Sequence, residues 1–151
     1  MRKLPKFGIL LAGILGLVGL ALPALSFAGG GDIAGIKFVT DSEKILPILF
    51  FAPSLALVVL GAVGVIARRF PRRWATIGLV LGLAGVVLYA LVRGDVGETE
   101  GANLAIGAHL AGIGGVLAIA SAIAGLSKPD IGFRRKGKRF KATISSKPPQ
   151  L

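Results

Sequence analysis

A chain of 151 residues with 54% hydrophobic residues and a mean hydropathy of +0.79 gathers its apolar residues into long, nearly uncharged blocks, which argues against a water-soluble domain. It has no cysteine, which excludes disulfides, thiolate metal sites, a cysteine nucleophile and palmitoylation. Its formal charge of +11 would point to nucleic acid in a soluble protein, but the cations are segregated into the links between apolar blocks, so a nucleic-acid partner is not expected.

The first link, Met1 to Lys6, carries Arg2, Lys3 and Lys6. The apolar segment that follows predicts a first helix at about 7–28, long enough to cross roughly 30 Å of hydrocarbon. The same stretch has features of a secretory signal peptide: a basic start, an apolar run, Pro23, then Ser26-Phe27-Ala28 with small residues at −3 and −1. The run is long for a signal peptide, which favours a retained helix, and on either reading residue 29 emerges outside.

Gly29 to Lys44 reads as an outer loop with Asp32, Asp41 and Glu43, in which Ile36 to Thr40 has the composition of a short strand. A second helix is predicted at 45–67, with Pro47 in its first turn and Pro53 expected to kink it. The connector Arg68-Arg69-Phe70-Pro71-Arg72-Arg73-Trp74 then organises the chain. Each guanidinium costs roughly 2.5–3.5 kcal/mol in hydrocarbon, so these four belong in water or among headgroups, on the cytoplasmic side.

A third helix is predicted at 74–92, with Tyr89 near its outer end, followed by an outer loop holding Asp95, Glu98 and Glu100. A fourth is predicted at 103–126 and ends before Pro129. Residues 128–151 form a basic tail expected to be flexible and cytoplasmic. The inner links hold 15 Lys/Arg and one acid, and the outer ones three and six. That asymmetry predicts an all-α, integral membrane four-helix bundle with N- and C-termini inside, covering 1–127. The expected location is a plasma membrane, multi-pass and bacterial in type. Claudin-type junction proteins share the layout, but the Trp-Leu-Trp motif and paired cysteines of their first outer loop have no counterpart here.

Helices in lipid associate through small residues that let backbones approach. Gly107, Ala111 and Gly115 recur at i, i+4 on the fourth helix beside Gly112; Gly78 and Gly82 form a GxxxG pair on the third, and Ala12 and Gly16 a similar pair on the first. Such faces serve either packing within the monomer or a partner interface.

His109 is the only histidine and the only ionisable group inside a predicted span. It is therefore the candidate cofactor ligand, for a haem or the magnesium of a chlorin, with a hydrogen bond to another helix as the alternative. No other cofactor and no metal site is predicted; the outer carboxylates match no calcium loop and read as a solvated face. Arg134, Arg135, Lys136, Lys138, Arg139 and Lys141, beside Phe133 and Phe140, form a second basic cluster after the connector's Arg68, Arg69, Arg72 and Arg73. Anionic lipids are the expected partners of both, with an acidic protein or RNA as lesser alternatives.

No catalytic constellation is visible. The expected function is that of a non-enzymatic structural or accessory subunit of a larger membrane complex, packing through small-residue helix faces. A small transporter or channel subunit is an alternative, opposed by the scarcity of polar residues beyond Ser54, Thr76, His109 and Ser121. A pigment- or haem-binding subunit using His109 is another. Single cysteines placed at Gly97 and Lys138 should react with impermeant reagents from opposite sides of the membrane; labelling from one side would contradict the topology.

Overall fold

The computed structural model describes residues 4–40 and 45–128. In chain order its elements are α1 (Leu4–Ala21), β1 (Pro23–Phe27), β2 (Gly31–Ala34), α2 (Gly35–Thr40), α3 (Ile45–Ile66), α4 (Arg72–Gly97), β3 (Ala102–Leu104) and α5 (Ile106–Ser127). Helices α1, α3, α4 and α5 are long and apolar enough to cross a membrane. Even α1, the shortest at 18 residues, is about 27 Å long.

These four helices pack as a ring. α1 and α4 each pack on both α3 and α5 and lie diagonal to each other. Neighbours run antiparallel: Gly8 faces Ser121 while Gly19 faces Gly107, and Gly13 faces Val58 while Gly61 faces Leu10. The contacts are backbone to backbone. A β-carbon on Gly13 would stand 2.5 Å from the Val58 nitrogen, and one on Gly114 would stand 2.6 Å from the Ala12 carbonyl oxygen. β-Carbons at Gly19 and Gly107 would each collide with the other residue's carbonyl oxygen.

Many of the large aliphatic side chains of these helices point the other way. On α1, Ile9 and Ala12 are buried while Leu4, Phe7, Leu11, Ile14 and Val18 are exposed, at helical spacing. Leu55, Val59 and Val63 on α3, Val80, Leu83 and Val87 on α4, and Ile113 and Val116 on α5 repeat the pattern. A water-soluble bundle has the reverse arrangement. Glycine and alanine inside with leucine, isoleucine and valine outside is the arrangement that suits a hydrocarbon solvent.

Several boundaries differ from those expected. α1 stops at Ala21 and not near residue 28, because Pro23 has no N–H with which to continue the ladder; the Leu22 N–H to Val18 carbonyl bond, at 3.2 Å, is the last. Beyond it the chain becomes β1, the central strand of a sheet with order β2-β1-β3. β1 and β2 form an antiparallel hairpin in which Phe27 pairs with Gly31. In its turn the Gly30 N–H bonds the Phe27 carbonyl at 3.0 Å, and Gly30 has φ +88, the left-handed residue that a three-residue hairpin loop needs.

β3 pairs with the other edge of β1, Leu25 opposite Leu104 and Phe27 opposite Ala102. The bundle is thus not purely α-helical. The strand expected at Ile36–Thr40 is instead the short helix α2, and α4 continues to Gly97, its Glu98 N–H still bonding the Gly94 carbonyl. The loop expected at 93–103 therefore shortens to a tight link into β3.

Two cores result. At one end Ile9, Ala12, Leu57, Phe70, Ala75, Ala118 and Ala122 pack together. At the other, Leu25 of the sheet inserts among Phe50, Phe51, Val92, Val96, Ala108 and Ala111. Residues 4–27 thus supply both a ring helix and the central strand of the sheet. Gly107→Ala should destabilise the protein in mild detergent by roughly 1–3 kcal/mol, the scale of overpacking. Gly85→Ala, whose β-carbon would meet nothing closer than 3.7 Å, should leave the thermal midpoint nearly unchanged; equal midpoints would contradict the close-contact packing.

Candidate functional site

The charged side chains among the described residues are confined to the two ends of the bundle. At one end lie the α3–α4 connector, the start of α1 and the end of α5. The chain leaves α3 through Arg68, whose φ of +51 places a non-glycine residue in the left-handed region, at about 1 kcal/mol or more. Phe70 then turns inward. It is 1% exposed, its ring pressed against Gly64 and Gly125 and set edge-on to Trp74 at 6.2 Å between centroids.

Pro71 follows and opens α4 with its φ of −67, close to what its ring imposes. Arg68, Arg69, Arg72 and Arg73 are all exposed around this buried ring, and Trp74 is half-buried beside it. The stem of Lys6 is also drawn in: Lys6 is 4% exposed and, like Phe70, borders Gly64.

The described acids sit at the far end. Asp95 lies 23 residues along α4 from Arg72, about 35 Å away, and Asp32, Glu98 and Glu100 are exposed on the sheet side with it. None of these carboxylates reaches the connector arginines. The bundle is electrically bipolar by construction.

His109, in the first turns of α5, is exposed, and its Nδ1 shares a 2.7 Å hydrogen bond with the Tyr89 hydroxyl on α4. The two rings lie 5.9 Å apart and tilted. The bond ties the imidazole to α4 through one nitrogen, as the hydrogen bond to a metal-ligating histidine also does. Among the described residues no group of three or more His, Cys, Asp or Glu could hold a metal ion.

The small residues singled out from the sequence all face inward. A β-carbon on Gly78 would meet Ile9, and one on Gly82 would stand 3.0 Å from the Gly115 carbonyl oxygen. Gly115 lies against Val86 and Gly82, Gly112 against the Tyr89 ring, and Gly107 against Gly19. Ala111 is buried in the core at the sheet end. The second basic cluster, Arg134, Arg135, Lys136, Lys138, Arg139 and Lys141, lies outside the described residues.

Two contributors escaped the sequence reading. Phe70 reads as a loop residue between arginines; its one signal is an apolar ring, with Pro71, set between two arginine pairs. Tyr89 reads as an interface aromatic, and nothing in its spacing from His109 announces their bond. Comparison with protein-family models, with curated proteins and with solved structures gives no match.

Proposed function

We propose that the chain is a multi-pass protein of a bacterial-type plasma membrane, with both ends inside, acting without enzymatic activity as a structural or accessory subunit of a larger membrane complex. The observation that carries this reading is the reversed packing, with small residues in the interior and large aliphatic side chains outward on all four long helices. Such a surface is costly in water and indifferent in lipid. The cationic end would then face the cytoplasm and the acidic sheet end the outside.

The reading gains detail on how partners would be met. The glycine faces are already occupied by neighbouring helices of the same chain, so they are not free to hold a second subunit. The outer end offers a different surface. Phe27 at the hairpin is 37% exposed and Ile36 on α2 is 55% exposed, both beyond the long helices on a sheet-braced cap. An anchor that merely crossed the bilayer would have no need of a sheet tying its outer loops together. A transport role is less well supported, because the interior closes backbone against backbone and the polar Ser54 and Ser121 are set against Gly16 and Gly8.

Purification from its native membrane in mild detergent should yield stable co-purifying membrane proteins, lost on Phe27→Ser with Ile36→Ser while the monomer stays folded. Elution as a lone monomer at low detergent would remove the subunit reading.

A further inference from the structure

We propose that the α3–α4 connector is a built site for a phospholipid headgroup carrying two phosphates, of the diphosphatidylglycerol kind. The inference rests on the membrane reading above and adds a ligand class to it. Four arginines fall within six residues, one pair before the anchor Phe70-Pro71 and one pair after it. Because Phe70 is clamped between Gly64 and Gly125 and Pro71 fixes the turn, the backbone that carries both pairs is set before any ligand arrives. Preorganisation of this kind removes an ordering cost that a floppy basic tail must meet.

The described carboxylates are at the opposite end of the bundle, so their charge does not neutralise the arginines. The neighbouring surface is hydrocarbon-facing: Ile66 beside the connector is 82% exposed and Ile77, further along α4, 48% exposed. A ligand that satisfies both features is an anion with acyl chains. Guanidinium forks match phosphate oxygens two at a time, which ammonium groups do not. Two separated pairs match two phosphates better than one, and basic surfaces at the cytoplasmic ends of membrane helices take headgroups of this class.

The test uses the full chain in nanodiscs whose anionic charge is supplied either by diphosphatidylglycerol or by phosphatidylglycerol, with bound lipid read by native mass spectrometry. Each cation near an anionic headgroup is worth about fivefold in binding. The wild type should therefore retain the two-phosphate lipid at least about tenfold better than the one-phosphate lipid at equal charge. Replacing Arg68, Arg69, Arg72 and Arg73 by Gln should abolish retention, and replacing them by Lys should keep general anion binding but lose the preference. All four are exposed, so these variants should fold, which the thermal midpoint checks.

Replacing Arg134, Arg135, Lys136, Lys138, Arg139 and Lys141 by Gln should leave the preference in place. Equal retention of the two lipids, or a preference that survives in the Lys variant or vanishes in the tail variant, would overturn the proposal. A chain that failed to enter the nanodisc would overturn the membrane reading, and this inference with it.

Discussion

The rest of the structure depends on the direct contact of helix backbones across glycine. Where α1 meets α5 at Gly19 and Gly107, and meets α3 at Gly13 and Val58, there is no room for a β-carbon on the glycines. In water such helices would be poor, since glycine costs about 1 kcal/mol relative to alanine in a helix interior. In lipid the account reverses. Side-chain burial contributes little to association there, while close approach multiplies dispersion contacts between the helices. The small residues therefore go inward, the bulky ones outward, and the surface of the bundle becomes a solvent-matched coat.

That constraint also explains where polar groups are found. With the interior closed, charge has only the two ends, and the ends are built differently. The acidic end is braced by a sheet whose central strand follows directly from α1, and whose edges bring the α1–α3 and α4–α5 links together. At the cationic end no strand lies among the described residues; there Phe70 plugs the bundle beneath the arginine turn. Among the described residues, each end thus has a buried anchor, Leu25 at one and Phe70 at the other. The proposed partner docking and headgroup binding would use these two anchored ends.

Much of this was legible in the amino-acid order, and the omissions have physical causes. Hydropathy blocks give the four long helices because every residue in a span contributes to the signal. The ends of those helices are weaker signals. Pro23 was visible as a helix breaker, yet the apolar run Pro23-Ala24-Leu25-Ser26-Phe27 hides a strand, since composition alone does not separate buried strand from helix. Its partner β3 lies more than seventy residues away, and no local pattern reports such pairing. Gly94 and Gly97 suggest a loop, but α4 absorbs both because Val92 and Val96 around them are buried in the core. The inward direction of Gly78, Gly82, Gly107, Gly112 and Gly115 required the helix order around the ring, which spacing does not contain.

The central claim is that the bulky face of each long helix meets lipid while its small face meets another helix. It is tested most directly along α1 in the cysteine-free background, with nitroxide labels on single cysteines at Leu11, Ile14 and Val18 and at Ala12, in lipid bilayers. Labels at 11, 14 and 18 should be mobile, relaxed strongly by dissolved oxygen and little by a water-soluble nickel chelate, whereas a label at 12 should be immobilised and shielded from both. Nickel-dominated relaxation at Leu11 and Ile14, or equal mobility at all four positions, would contradict the account.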